Sequence, residues 1–204
     1  MDNLVAAVIH DVKNQLAELA LRLERKGDAL QETRIAMDAS RRLTELLLAY
    51  RQQSGQLHAN IDSANPDDLL QELAVEYRGL FPDLRFVVAT DDAPAFAFYD
   101  EALIRLALAN AVHNACRFAR SAVTLSAYHD REYLVFEISD DGAGFPDALL
   151  GAAPAVPSGA SARGTGLGLF LAGRIAELHQ MEGRCGSVIL DNRQDGARFR
   201  LRLP

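Results

Sequence analysis

Residues 101–118 read EALIRLALANAVHNACRF, an apolar stretch in which a few polar residues recur at helical spacing. In a helix, residues at i, i+3, i+4 and i+7 share one face, and those positions hold Asn110, His113, Asn114 and Arg117. Most such faces are simply solvated, but exposed helices favour Glu, Lys and Gln over a pair of asparagines. The alternative is a ligand site, because an amide oxygen at Asn114 suits a hard cation such as Mg²⁺ and Arg117 suits phosphate.

A glycine-containing segment, DDGAGF at 140–145, follows the β-prone run LVFEI at 134–138. A carboxylate at the end of a strand can accept a hydrogen bond from an exocyclic amine. The glycines beside it let the backbone approach a flat ligand closely. An ordinary Asp-Gly turn would have the same sequence, so this segment alone decides nothing.

A second glycine-containing segment, RGTGLGL at 163–169, opens a predicted helix. Free N–H groups and the positive end of the helix dipole suit a phosphate there. The segment lacks the Gly-Lys-Ser/Thr of a Walker motif. Between the two segments, residues 146–163 are rich in Ala, Pro, Gly and Ser, which predicts a mobile lid that becomes ordered on binding.

Residues 2–54 predict two helices of nearly equal length that form an antiparallel hairpin. Apolar residues alternate at spacings of four and three along the first helix, namely Val5, Ile9, Val12, Leu16, Leu19 and Leu23. Gly27-Asp28 interrupts the pattern, and the second helix carries a broad apolar face. One hairpin cannot bury both faces alone, so we expect a four-helix bundle made from two copies.

The first predicted helix carries the sequence HDVKN at 10–14. Since Ile9 and Val12 belong to the apolar seam, His10 should face sideways toward solvent. A neighbouring carboxylate can hold the Nδ1 proton of the imidazole, which leaves Nε2 free as a nucleophile. A surface histidine beside an incidental acid would have the same sequence, so the alternatives stay open on these residues alone.

The chain from residue 56 onward mixes helical and strand patterns, which predicts an α+β domain after a linker at 51–55. We therefore expect two domains, residues 1–55 and 56–204. Strands are predicted at 57–62, 84–90, 95–99, 121–129, 132–139, 184–190 and 197–203. Helices are predicted at 66–78, 101–118 and 166–181.

The composition excludes several classes of protein. With 21 basic and 28 acidic residues the net charge is −7, which argues against a nucleic-acid footprint. No apolar run approaches the roughly 20 residues of a membrane span, and the N-terminus does not have the pattern of a signal peptide. Cys116 and Cys185 form no spaced framework and are expected to be free thiols. These features predict a cytoplasmic protein.

The order and spacing of the motifs resemble those of sensor histidine kinases, whose ATP-binding domain has the GHKL fold shared with gyrase, Hsp90 and MutL-type ATPases. The resemblance covers nearly the whole chain and implies a two-layer α/β sandwich after the hairpin. The segment at 10–14 resembles the phosphoacceptor motif His-Glu/Asp-x-x-Asn/Thr. By that resemblance His10 is the phosphorylated residue and Asp11 its base, and Asn14 orients the water that attacks the phosphorylated partner.

The segment at 110–118 resembles the N-box of the same family. This implies that Asn114 coordinates Mg²⁺ and that Asn110 supports it. It also implies that Arg117, where lysine is usual, contacts phosphate and that Phe118 packs on the adenine.

Two glycine boxes complete the resemblance. Asp140, Gly142 and Gly144 match the first box, so Asp140 is expected to bind the adenine amino group. The second box should cap the phosphates of ATP, with Arg163 as the nearby cation. Its expected nucleotide-binding residues are Arg163, Gly164, Thr165, Gly166, Leu167 and Gly168.

The implied function is Mg-ATP-dependent phosphorylation of His10 in a homodimer, followed by transfer to an aspartate of a response-regulator receiver domain, with phosphatase activity toward that partner as an extension. No sensor precedes His10, so we expect either a fragment of a longer kinase or a separate sensor protein. One rival interpretation is a non-catalytic histidine phosphotransfer protein, which would not need Asn114, Asp140 and the glycine boxes. The other is a GHKL clamp ATPase, which usually has an acid at position 110.

Overall fold

The computed structural model describes residues 30–150, 167–194 and 196–204, together with scattered helical positions near the N-terminus. Those positions are Val12, Asn14, Gln15, Leu16, Glu18, Leu19 and Leu23. The chain divides into two compact units, Met1–Leu57 and His58–Pro204. Among the described residues, none of the helices has both the length and the apolar character that a membrane span requires.

The first unit contains helix α1, Leu30–Gln53. Leu47 and Leu48 are buried, whereas Ile35 and Leu46 are 64% and 50% exposed. An apolar groove is lined by residues of α1 and of the preceding helical segment: Leu16, Leu19, Leu23, Glu32, Ile35, Ala36 and Ala39. The predicted hairpin is therefore visible only in part, because most of its first helix lies outside the described residues.

The second unit is an α+β domain, as predicted. Its helices are α2 (Pro66–Leu80), α3 (Glu101–Phe118) and α4 (Leu167–Leu178), with a short 3₁₀ turn at Asp147–Leu149. Its strands are β1 (Asp62–Ala64), β2 (Arg85–Ala89), β3 (Ala97–Tyr99), β4 (Ala122–Asp130), β5 (Tyr133–Asp140), β6 (Gln180–Met181), β7 (Arg184–Cys185), β8 (Ser187–Arg193) and β9 (Gly196–Leu203).

Five strands form the main sheet in the order β2-β4-β5-β9-β8. The β2–β4 pair is parallel and the other pairs are antiparallel. Buried and partly exposed residues alternate along β4 and β9, because one face of the sheet is covered by the helices. The core between the two layers includes Leu125, Phe136, Ile138 and Leu201.

Side-chain caps explain where α2 and α3 begin. Asn65 accepts hydrogen bonds from the N–H groups of Asp67 and Asp68, and Pro66 occupies the first turn, where a proline costs no hydrogen bond. Asp100 caps α3 by accepting from the N–H of Leu103 at 2.9 Å. Both helices then bury an apolar face, including Leu70 and Leu73 of α2 and Ile104 and Leu108 of α3.

The short strands differ from the sequence prediction. The strand predicted at 57–62 is found at Asp62–Ala64, where it pairs only with β3. The helix predicted to reach residue 181 ends at Leu178, and a β6–β7 hairpin follows. Glu182 and Gly183 in its turn have φ values of 51° and 79°, the left-handed conformation that two-residue hairpins require.

Candidate nucleotide-binding site

Helix α3 places the predicted N-box residues in two different environments. Asn110 is only 3% exposed, whereas Asn114, one turn later, is exposed. His113 packs edge-on against the rings of Tyr77 and Phe81, with centroid distances of 6.4 and 6.1 Å. The polar residues of α3 therefore do not form one solvated face, and His113 serves the contact between α3 and α2.

The last turn of α3 exposes a cation beside an aromatic ring. The guanidinium carbon of Arg117 lies 5.6 Å from the ring centroid of Phe118, and Phe118 is 51% exposed. A large exposed aromatic side chain next to a positive charge suits a ligand that carries both a flat ring and phosphate groups.

The first glycine box contacts the end of α3 directly. Asp140 is the last residue of β5, and its Oδ1 accepts the N–H of Gly142 at 2.8 Å. A β-carbon at Gly142 would lie 2.2 Å from the carbonyl oxygen of Phe118, so only glycine allows this approach. The structure thus places the Asp140 carboxylate near the backbone of Phe118, and the sequence assigned both residues to one ligand.

Burial and backbone hydrogen bonds have opposite effects on the pKa of Asp140. Burial raises the pKa of this half-buried carboxyl above its ordinary value, while hydrogen bonds from the N–H groups of Gly142 and Ala197 oppose the shift. The hydrogen bond from the Gly142 N–H orients the carboxyl group, and its position is partly desolvated, so a hydrogen bond to a ligand amine is stronger there than in open water.

Asp141 binds the backbone of residues 120–122, a role that the sequence analysis did not predict. Its carboxylate accepts from the N–H groups of Arg120, Ser121 and Ala122 at 2.8–3.1 Å and from the Ser121 hydroxyl at 2.5 Å. Although burial disfavours the charged form, these hydrogen bonds hold the pKa of Asp141 well below its ordinary value. The carboxylate ties the glycine box to the chain between α3 and β4.

Asn192 and Gly196, on the β8–β9 hairpin, contact the loop that follows Asp140, and neither was predicted as a site residue. The N–H of Phe145 donates to Oδ1 of Asn192 at 2.7 Å, and Nδ2 of Asn192 donates to the Phe145 carbonyl at 2.9 Å. A β-carbon at Gly196 would lie 1.8 Å from the Asp140 carbonyl oxygen. The only available sequence signal was the glycine at the start of a strand, which often marks a close approach of backbones.

The second glycine box is described only in part. Arg163, Gly164, Thr165 and Gly166 lie outside the described residues, as does the predicted lid before them. Leu167 and Gly168 form the first turn of α4. Helix α4 packs against α3, and its buried residues include Leu171 and Ile175.

A buried histidine joins the end of α4 to the start of α3. Nε2 of His179 accepts the N–H of Asp100 at 3.0 Å, so the proton is on Nδ1, which donates to the Ile175 carbonyl at 2.8 Å. Burial lowers the pKa of His179, and the hydrogen bond to the Ile175 carbonyl and the nearby Asp100 carboxylate partly offset the shift. This neutral imidazole therefore fixes one helix of the candidate site on the other.

The predicted phosphoacceptor region lies mostly outside the described residues. His10 and Asp11 are not described, and Asn14 is helical and exposed. The roles predicted for His10, Asp11 and Asn14 therefore stay predictions.

Residues 99–204 match the family model described as "Histidine kinase-, DNA gyrase B-, and HSP90-like ATPase". This match covers more than half of the chain, and the chain belongs to that family of ATPases. The region includes the N-box, both glycine boxes and the hydrogen bonds described above for residues 140–145.

Among sequence relatives, the chain is similar to the sensor histidine kinase GtrS of Pseudomonas aeruginosa, with 31% identity over 209 residues, which cover 98% of this chain and 41% of the relative. It is also similar to the nisin biosynthesis sensor protein NisK of Lactococcus lactis, with 28% identity over 94% of this chain and 46% of that protein. The chain thus spans less than half the length of either curated relative.

The fold is similar to that of the ATP-binding domain of PrrB from Mycobacterium tuberculosis. The TM-score is 0.54 at 29% identity, over 71% of this chain and 97% of that domain. The comparisons confirm the predicted resemblance to sensor histidine kinases and the GHKL type of fold.

Proposed function

We propose that this chain is the kinase core of a two-component system. It uses ATP to phosphorylate its own His10 and passes the phosphoryl group to an aspartate of a response-regulator receiver domain. Residues 1–55 form the dimerisation and phosphotransfer hairpin, and residues 56–204 form the catalytic domain. The sensor histidine kinase relatives and membership of the ATPase family support this proposal.

The observation that carries the proposal is the contact between the first glycine box and the end of α3. The 2.2 Å approach at Gly142 sets Asp140 beside Phe118, while Arg117 lies against the Phe118 ring. The Asp140 carboxylate thus lies near the backbone of Phe118, the residue whose ring has the Arg117 guanidinium beside it. These three residue types suit the amine, ring and phosphates of ATP.

The residues of α3 also fit Mg²⁺. In the described part of the chain, no group of three His, Cys, Asp or Glu side chains could hold a metal ion. Mg²⁺ commonly takes few protein ligands and completes its shell with water and substrate phosphate oxygens. The exposed Asn114 would supply one amide oxygen, with Asn110 supporting it, and the ion would neutralise charge on the phosphates.

The residues of the chain have separate roles in the proposed reaction. Asp140 accepts the adenine amine, and Phe118 packs on the ring. Arg117 holds phosphate, and the second glycine box, Arg163–Gly168, caps it. Positioning and charge stabilisation then supply most of the acceleration.

His10 is the nucleophile in this proposal. Asp11 holds the Nδ1 proton, so that Nε2 attacks the γ-phosphorus in line. A P–N bond forms, the bond to the β–γ bridging oxygen breaks, and ADP leaves. Asn14 orients a water that attacks the phosphorylated aspartate of the partner in a separate phosphatase reaction, which regenerates the aspartate and releases inorganic phosphate.

Two features of the described residues support the expected homodimer and its cellular setting. Ile35 and Leu46 of α1 expose large apolar side chains, which a second copy of the hairpin would cover. Both cysteines are free thiols, which fits the reducing cytoplasm, where ATP is available. The input arrives either through a separate sensor protein or through a longer chain.

The test is transfer of label from γ-labelled ATP in the presence of Mg²⁺. Wild-type protein should take up label that is lost in acid and kept in base, as expected of a phosphohistidine. His10→Ala should abolish labelling. His129→Ala, which removes an exposed histidine of β4, should not affect it.

Two results would contradict the proposal. Equal labelling of His10→Ala would exclude His10 as the acceptor. If the wild-type chain takes no label from ATP yet accepts phosphate from a phosphorylated receiver domain, it is a phosphotransfer protein without kinase activity.

A further inference from the structure

We infer that Asn192 is a positioning residue for adenine recognition, because its side-chain amide fixes the loop that follows Asp140. The inference rests on the proposed function, since it assigns a role within the same nucleotide site. Asn192 lies in β8 and belongs to none of the motifs that identified the site.

The geometry is that of a two-point clamp on one residue. Oδ1 of Asn192 accepts the Phe145 N–H at 2.7 Å, and Nδ2 donates to the Phe145 carbonyl at 2.9 Å. Both distances are those of well-formed hydrogen bonds. The side-chain amide thus satisfies both backbone groups of Phe145, as a neighbouring strand residue would.

The loop is shaped to receive this side chain. Gly144 has φ of +84°, and a β-carbon there would lie 2.9 Å from Cγ and Oδ1 of Asn192. The absence of a side chain at Gly144 therefore creates the space that the Asn192 amide occupies. Gly144, which the sequence motif assigned to nucleotide binding, therefore also allows the contact with Asn192 of β8.

The β8–β9 hairpin holds the loop at both ends. At one end Asn192 binds Phe145, and at the other Gly196 lies against the Asp140 carbonyl, where a β-carbon would be 1.8 Å away. Asp140 itself accepts from the N–H of Gly142 within the same loop. Movement of the Phe145 end would therefore alter where the Asp140 carboxylate points.

Asn192 should consequently control affinity and base selection rather than the rate of phosphoryl transfer. Asp140 faces the base, and guanine presents a carbonyl where adenine presents an amine. A loosened loop weakens the hydrogen bond that favours adenine. At saturating ATP the phosphates are still held by other residues.

The test is to titrate the full chain with ADP, and with GDP by competition, in wild type and in Asn192→Ala. Asn192→Ala removes the side chain that aligns the loop. A loss equivalent to about one hydrogen bond should weaken ADP binding about five- to tenfold. GDP binding should change little, so that discrimination between the two falls. The KM for ATP in His10 labelling should rise while the maximal rate is retained.

Two more variants make the test specific. Asn192→Asp keeps the acceptor for the Phe145 N–H but loses the donor to its carbonyl, so it should recover part of the affinity. Gln194→Ala removes an exposed side chain of the same hairpin turn and should behave as wild type.

The inference is overturned if Asn192→Ala binds ADP as wild type does. It is equally overturned if the affinities for ADP and GDP fall together with the melting temperature, because that result indicates a purely structural role. Failure of the proposed function is a different outcome, visible in the wild-type titration: the unmodified chain would bind no adenine nucleotide.

Discussion

Gly142 is the residue on which the candidate site depends most closely. Its α-carbon lies in a space bounded by the Phe118 carbonyl and the Asp140 carboxylate, at 2.2 and 2.7 Å from the position of a β-carbon. Neither neighbour can yield easily, because one is backbone and the other accepts a hydrogen bond from Gly142 itself. A methyl group there must push β5 away from α3.

Gly142→Ala should therefore destabilise the protein by about 2 kcal/mol, the usual cost of forcing an extra group into a packed site. Urea denaturation measures this change. Gly79→Ala is the matched control, because nothing lies within 4 Å of a β-carbon at Gly79 in helix α2. There alanine should be neutral or stabilising by up to about 1 kcal/mol, and equal losses in both variants would contradict the proposed crowding.

Residue types in the sequence pointed to the candidate site itself, but not to the residues, such as Asn192, that hold its backbone in place. Asp140 and Gly142 stand out because a carboxylate and a glycine follow a strand. Asn192 does not, since its partner Phe145 is 47 positions away and the contact exists only after β8 has joined the sheet. A single sequence carries no signal for such a pair, because each residue is ordinary in its own local context.

At the scale of elements, the Asp141 carboxylate joins three pieces of structure. It accepts hydrogen bonds from Arg120 and Ser121, which follow α3, and from Ala122, the first residue of β4, while it follows β5 in the chain. A single side chain thus sets the spacing between the helix with the N-box and the strand with Asp140.

Asp141→Asn should lower the free energy of unfolding by about 2 kcal/mol, since an amide cannot accept all of these hydrogen bonds and loses the charge that strengthens them. It should also weaken binding of ADP. Asp130→Asn, at the opposite end of β4, is the control: Asp130 is exposed and lies 3.9 Å from Arg202, a distance typical of weak surface pairs. If the free energy of unfolding falls no further in Asp141→Asn than in Asp130→Asn, the hydrogen bonds of Asp141 do not stabilise the connection between α3, β4 and β5.

Periodicity predicted the long elements and failed for the short ones. Helix α3 and strands β4 and β9 each bury a regular apolar face, and residues 134–138 of β5 are all buried. A sequence pattern records both a regular face and a continuous apolar run. Strand β1 has three residues and pairs only with β3, so no repeat is long enough to locate it. The β6–β7 hairpin was not predicted, because the predicted helix extended to residue 181 and included β6, whereas α4 ends at Leu178.

At the scale of the whole molecule, buried His179 links stability to pH. Its ordinary pKa is 6.5, and burial lowers the pKa in the folded state. The unfolded chain therefore takes up the proton at a higher pH than the folded protein does. Its contribution to stability is complete above pH 6.5 and declines as the pH falls from there toward the lowered folded pKa.

The free energy of unfolding, measured by urea denaturation between pH 8 and pH 5, should thus fall with decreasing pH. His179→Gln should flatten this dependence even if it lowers stability at every pH, because glutamine does not titrate. His129→Gln, at an exposed position, should retain the slope of the wild type. An unchanged slope in His179→Gln would show that other groups cause the dependence.

The strand order has a consequence for how the second unit is made. Strand β9 lies between β5 and β8, although it is the last of the described strands along the chain. During synthesis, β2, β4 and β5 can pair early, but the open edge of β5 waits for a partner more than fifty residues downstream. That unpaired, largely apolar edge is a site where two nascent chains can pair with each other. A shortage of chaperones should therefore reduce the yield of newly made folded protein, whereas protein that has already folded should be unaffected.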